Sequence, residues 1–318
     1  ARSLGDQLNY CRLNLALGRL ETAAGRLARA EELMLEGKNL AEQNHYLREA
    51  TIADEYLGDI LLVRGQVEKA LFNYQLGLEK SRAIATGNDL EGEILRRVGE
   101  AHLAAGQYQD AVAVTQASIA ICEQCDEIYE LGFCHLVLGK SYSRLNDKQQ
   151  LTHHFREAIS VFKDQGLVRQ WCGAILDFAA ELQTDASEAE LLLLRRYLMD
   201  AQESGASSVS DEMLCRILEA LATIQIQLGH FDDAMLSVFE LERHASGLGL
   251  VELDQKVVSL RDRIEMGLVG GLDSTESHID AISSIPGLFA KNDSSIPRNL
   301  ESVLAAGMDR VGADSGFI

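Results

Sequence analysis

Leu57-Gly58-Asp59-Ile60-Leu61-Leu62-Val63-Arg64-Gly65-Gln66-Val67-Glu68-Lys69-Ala70 is the stretch that decides the fold. A large apolar residue and a glycine stand together, followed by an apolar helical run. A second glycine then comes just before an amphipathic start that carries a small residue. Glycine readily takes the left-handed conformation that ends a helix, so Gly65 predicts a stop, a tight turn and a new helix. Gly58 and Ala70 lie twelve residues apart. Two antiparallel helices cross closely only where bulky side chains are absent, so these two small residues are expected at the crossing, with a larger one such as Tyr74 filling the flank.

Working outward, the same phrase recurs. Gly25-Arg26-Leu27-Ala28-Arg29-Ala30, Gly106-Gln107-Tyr108-Gln109-Asp110-Ala111 and Gly229-His230-Phe231-Asp232-Asp233-Ala234 repeat the turn. Asn146-Asp147-Lys148-Gln149-Gln150-Leu151 keeps the turn and loses the small residue. Upstream, Leu17-Gly18, Val98-Gly99, Leu138-Gly139 and Leu221-Ala222 repeat the first element, and Gly18, Gly58, Gly99 and Gly139 are spaced by 40, 41 and 40 residues. Phe155 and Val238 hold the position of Tyr74. A fixed period near forty residues is the signature of stacked helical hairpins. The only prolines are Pro286 and Pro297, so nothing before them breaks a helix by removing a donor.

This pattern resembles the tetratricopeptide repeat (TPR) family, in which a large apolar residue with Gly or Ala precedes an Ala by twelve positions and a large residue follows four later. Leu57-Gly58, Ala70, Tyr74 and Gly77 fit, as do Val98-Gly99, Ala111 and Ser118, and Leu138-Gly139, Phe155 and Ala158. The period exceeds the family's usual 34 residues and the terminal proline is missing, as in long-helix variants of scaffolding and bacterial regulatory proteins. The expected fold is all-α: a right-handed α-solenoid of about six antiparallel helix pairs over residues 1–268. A poorly matching copy falls at 168–205, a closing helix at 251–268, and a short helix near the C-terminal end.

After Gly270-Gly271 the composition turns to Ser, Gly, Asp and Pro, so residues 269–298 are expected to be a linker, with Ile279, Ile282 and Ile285 spaced for a short helix inside it. From Asn299 an amphipathic pattern starts with Leu300, Val303, Leu304 and Met308, and Gly312-Ala313-Asp314-Ser315-Gly316-Phe317 follows. Residues 299–318 resemble the opening of a GAF domain, whose first helix leads through a "GAD-x-G" turn into a strand. Repeats followed by GAF imply a bacterial signalling parent such as a sigma-54-dependent activator or a multidomain kinase. Ala1 stands within polar helical sequence, so a piece of a longer chain is expected.

Charge narrows the partners. The 29 basic and 49 acidic residues give a net of −20, which repels the phosphates of nucleic acid and an anionic membrane. No apolar run is long enough to span a bilayer, and no signal peptide is visible. Six scattered cysteines fit a reduced, cytoplasmic setting.

The sites for chemistry are weak. Cys122-Glu123-Gln124-Cys125 with Cys134-His135 is the one metal-like grouping, but structural zinc needs four converging ligands, so buried thiols are the expected reading. His153 and His154 are adjacent and point about 100° apart on a helix, which favours packing or solvation. No phosphate loop, nucleophile elbow or H-E-x-x-H occurs. The expectation is therefore no enzyme, no cofactor and no metal. In such an array first-helix side chains line a concave groove, and register puts Arg19, Asp59, Arg96, Glu100, Lys140 and Arg144 on or near it. These groups could pair with the charges or backbone of a protein or peptide, including another domain of the same parent chain; the alternative for each is a solvated helix face. The family's clamp of Lys and Asn on successive first helices is not evident. The function expected is a binding module of a signalling or transcription-regulatory protein, against a passive scaffold or oligomerisation array and, third, a small-molecule-sensing groove.

Overall fold

The computed structural model describes residues 4–182, 186–205, 208–249 and 251–283, with side chains over 7–182, 186–204, 208–249 and 251–268. The described residues form thirteen helices and no strand. They are α1 (Leu4–Ala23), α2 (Leu27–Gln43), α3 (Leu47–Val63), α4 (Val67–Ile84), α5 (Asp89–Ala104), α6 (Tyr108–Gln124), α7 (Ile128–Arg144), α8 (Lys148–Asp164), α9 (Val168–Leu182), α10 (Glu188–Gly205), α11 (Asp211–Gln227), α12 (Phe231–Ala245) and α13 (Val251–Ser283). Consecutive helices pair into six hairpins, and the fold is an all-α solenoid. Residues Ala1–Asp262 form one compact unit and Arg263 onward a second.

Each phrase read as a turn is one. Gly25, Gly65, Gly106, Asn146 and Gly229 have φ of 73, 72, 76, 58 and 73°. The next amide reaches back five residues to close the helix end: Arg26 N–H to Glu21 O, Gln66 to Leu61, Gln107 to His102, Asp147 to Tyr142 and His230 to Gln225, all between 2.8 and 3.0 Å. That satisfies carbonyls the helix end would otherwise leave open. Three of the turns between hairpins use the same device, two of them with less obvious residues, His45 and Asp126, and one with Gly166.

The crossing itself differs in detail from the expectation. Ala30, Ala70, Ala111 and Ala234 are fully buried, as their register requires. The residue sixteen after each glycine, however, sits directly on it rather than on the flank. A methyl group at Gly18 would lie 2.7 Å from Met34 Cε, and one at Gly139 would lie 2.9 Å from Phe155 Cδ2. Gly58 lies under the Tyr74 ring in the same way, and Gly99 under Thr115. The glycine is the floor for a side chain of the partner helix, a large one at Met34, Tyr74 and Phe155, which is why it must have none of its own.

The fifth hairpin, α9 with α10, lacks this arrangement: Ala179 stands where four other hairpins have the crossing glycine, and Arg195 stands sixteen residues later where they have Met34, Tyr74, Thr115 and Phe155. Its helices make fewer close approaches than other hairpins. The space is filled by a core of Phe155, Phe162, Trp171, Phe178, Leu194 and Leu198.

At the C-terminal end the expectation is corrected. The helix expected to close at 268 runs to Ser283, so the first part of the expected linker (269–283) is helical. Glycine costs a helix only about 1 kcal/mol per residue relative to alanine, and no proline follows Gly270-Gly271 until Pro286. The rest of the linker and the expected start of a second domain from Asn299, including Gly312–Phe317, lie outside the described residues.

Candidate binding groove

First helices approach one another from repeat to repeat: α1 with α3, α3 with α5, α5 with α7, α7 with α9 and α9 with α11. Among the described residues the backbones of second helices come close only to the first helices beside them, and side-chain ion pairs such as Lys163 with Asp200 bridge the wider gap between second helices. Within Ala1–Asp262 the first helices therefore form the tighter layer, and their outward side chains line one continuous face.

That face is built from ion pairs one repeat apart. Arg12 Nε donates to Glu49 at 2.7 Å, Lys140 pairs with Asp177 at 2.6 Å and Arg144 with Glu181 at 2.6 Å. Arg96 is buried and bridges Glu100 at 2.7 Å and Glu130 at 2.5 Å, with its guanidinium 5.3 Å from the Phe133 ring centre. Beside it Arg97 holds three carboxylates: Glu55, Asp59 at 2.9 Å and Glu93 at 3.2 Å. The Tyr74 hydroxyl donates to Asp59 at 2.8 Å, tying this network to the Gly58 crossing below it. Burial raises the pKa of Glu55 and Asp59, against the lowering effect of Arg97. Burial also works against the charge of Arg97, but its ring of carboxylates keeps it protonated.

Of the six residues expected on the groove, five are thus engaged by the protein itself. Arg96 and Glu100 come together; Asp59 belongs to Arg97 and Tyr74; Lys140 and Arg144 reach acids on α9. Arg19 differs. Its guanidinium lies 4.8 Å over the Tyr56 ring, and no carboxylate among the described residues pairs with it. It borders a cleft of about 320 Å³ between α1 and α3, with Arg12, Arg48, Glu49, Ile52 and Tyr56. Arg48 is spoken for by Asp89, at 3.1 and 2.5 Å. Sequence reasoning missed Arg97, Tyr56 and Arg12. The signal was available for Arg12 and Glu49, which stand 37 residues apart, close to one repeat. A second cleft of about 500 Å³ lies beside Arg144, Ser143 and Glu181.

A larger hollow, about 780 Å³, opens on the other side between α8 and α10, lined by Lys148, Thr152, His153, Arg156, Glu190 and Tyr197. It follows from the wide spacing of second helices and from the altered fifth hairpin. Glu190 there is already bonded to Ser187 and Lys148.

The cysteines and histidines fall into separate pairs and not one cluster. Cys134 and Cys122 flank the Ser118 hydroxyl at 3.2 and 3.9 Å, whereas Cys125 donates to the Gly87 carbonyl at 3.3 Å. His135 and His154 share a 2.9 Å contact through their Nδ1 atoms, and His154 stacks on Tyr142 at 5.4 Å. Burial, then the charges of its histidine neighbours, pushes the pKa of His154 down to about 4. Among the described residues no three His, Cys, Asp or Glu side chains are grouped to hold a metal ion, and no helix is long and apolar enough to cross a membrane.

No family model matches the chain. No curated protein matches it either. Solved structures do. RapI in its apo form aligns with a TM-score of 0.61 at 12% identity, covering 97% of this chain and 92% of that one. A signal transduction ATPase with numerous domains, carrying a tetratricopeptide repeat sensor, from Pyrococcus horikoshii aligns at 0.59 and 16% identity, covering 80% of this chain. The match spans only 39% of that longer protein. BtubC from P. vanneervenii aligns at 0.54 and 13% identity, covering 79% and 94%. The fold is TPR-like.

Proposed function

We propose that the first-helix face binds an extended segment of a protein partner, with Arg19 and Tyr56 as the entry contact. The observation that carries this reading is the asymmetry of the groove. From α3 to α9 its charges are neutralised in place, but the α1–α3 cleft leaves one guanidinium without a carboxylate, laid on an aromatic ring. A cation stacked on a ring beside Ile52 offers a site for an acidic side chain next to an apolar one. Asp59, Arg96, Glu100, Lys140 and Arg144 then act as a stiff, ion-paired wall along which the segment lies.

The wider context is a regulatory one. The resemblance of residues 299–318 to the opening of a GAF domain supports a cytoplasmic signalling or transcription-regulatory parent in which the array passes the bound state to a following domain. The second reading, a passive scaffold, is favoured by the same ladder of ion pairs, because a groove whose charges are already paired needs no ligand to hold its form.

A photo-crosslinking residue at Ala16, inside the cleft, is compared with one at Leu35 on the outer side of α2. Cells expressing each are irradiated and the adducts identified by mass spectrometry. Binding through the groove gives one dominant adduct from position 16, reduced at least fivefold by Arg19→Glu. Equal adducts from both positions, indifferent to Arg19, would leave the scaffold reading standing instead.

A further inference from the structure

The first helix carries an apolar stripe at one-turn spacing, Leu13, Leu17 and Leu20, which are 52, 38 and 65% exposed. Register explains why they are apolar. The matching residues one repeat on, Ala53, Leu57 and Ile60, are 0, 6 and 0% exposed, and those on α11, Ile217, Leu221 and Ile224, are 0, 2 and 1% exposed. This is the face each first helix turns towards the hairpin before it.

The structure also shows what covers that face. On α5, Ile94 and Ala101 share a core with Ala70, Tyr74 and Leu78 of α4, the second helix of the preceding hairpin. On α3, Ala53, Leu57 and Ile60 share a core with Ala30, Met34 and Ala41 of α2, together with Cys11 and Leu15 of α1. In both places a second helix presents a fully buried alanine followed four residues later by a large side chain. The requirement is thus a specific surface, small then large on one helical face, and not apolar area in general.

We propose that the Leu13–Leu17–Leu20 face is an internal interface of a longer array, and that it accepts an α-helix of this second-helix type, leading into α1 as α2 leads into α3. This inference is independent of what the groove binds. Burying a stripe whose counterparts on α3 and α11 are buried adds one more nearest-neighbour contact to a structure whose stability is a sum of such contacts.

The test adds the missing helix. Residues 24–46, which hold α2 and both its turns, are joined to Gln7 in place of residues 1–6, so that the 44–46 turn precedes Leu13, Leu17 and Leu20 by the same number of residues as it precedes Ala53, Leu57 and Ile60. The control carries the same residues with the helix scrambled. Thermal melting of the true extension is expected about 3–8 °C above the control, and α1 amides are expected to exchange more slowly. Leu20→Glu, at a position exposed in the unextended chain, is expected to move that chain by no more than about 2 °C and to erase the gain from the extension. Identical melting of true and scrambled extensions overturns the proposal. So does a doubled mass of the unextended chain in light scattering that Leu20→Glu returns to monomer, because the occupant is then a second copy.

Discussion

At Gly58 the smallest side chain is demanded by one of the larger ones. Tyr74 is fully buried on it, and its hydroxyl is fixed by Asp59, so the ring cannot swing away. Alanine there gains about 1 kcal/mol of helix propensity but overpacks the crossing, which costs about 1–3 kcal/mol. Gly58→Ala is therefore expected to lower the denaturation midpoint, and an unchanged or raised midpoint in urea would refute the close contact. His154 gives a second residue-scale expectation. Its folded pKa of about 4 lies below the ordinary value of 6.5, so the unfolded chain takes up its proton first as pH falls. The neutral ring's contribution to stability is complete above pH 6.5 and drains away towards pH 4. His135, His153 and Tyr142 face it, with Glu157 next along the helix from His153. His154→Phe should flatten the fall in melting temperature over that window; an equally steep fall in the variant would remove His154 from the account.

Helices show which parts of the repeat rule can be broken. In α9 and α10 the close crossing is gone, and Phe178, fully buried among Phe155, Ile175 and Leu194, takes over the work of holding the pair. Phe178→Ala is expected to cost about 3–5 kcal/mol, measurable by chemical denaturation; a loss under 1 kcal/mol would mean the core there is slack. Gly173 in the same helix meets nothing within 4 Å at its missing methyl, unlike the crossing glycines. Gly173→Ala should stabilise by up to about 1 kcal/mol, and a destabilised variant would show a contact the geometry lacks. The contrast between Gly58 and Gly173 was half legible from sequence. Gly58 belongs to a series repeating every forty residues and Gly173 does not, but only the packing shows that one supports a ring and the other faces open space. The α13 run-on was legible only as a separate short helix around Ile279 and Ile282, because a glycine pair reads as a stop unless neighbouring turns of helix outweigh it.

Across the whole molecule the charges work at two ranges. Some of the pairs that join repeats, such as Arg97 with Glu55 and Arg96 with Glu130, are largely shielded from solvent, and salt screens them little. Pairs such as Lys163 with Asp200 and Arg144 with Glu181 are half exposed on the cation side, and each is worth about 0–1 kcal/mol. Against them stands the self-repulsion of a chain with net charge −20, a long-range term that salt removes. The long-range term wins, so raising sodium chloride from about 20 to about 300 mM at pH 7 should increase the melting temperature by a few degrees. A decrease would mean that the exposed ladder, not the net charge, governs stability.

The hairpins, their number and the glycine and asparagine turns inside them are readable from the residues, because left-handed glycines and the small–large pattern are local demands that the repeats restate. The sequence also named Arg19, Asp59, Arg96, Glu100, Lys140 and Arg144 as polar positions on first helices. Only the tertiary structure decided what those positions do. A charge's partner lies one whole repeat away, and periodicity gives the distance along the chain but not which of several acids the guanidinium meets. That is why five of the six are taken up in ion pairs of the protein itself and Arg19 alone lies over Tyr56.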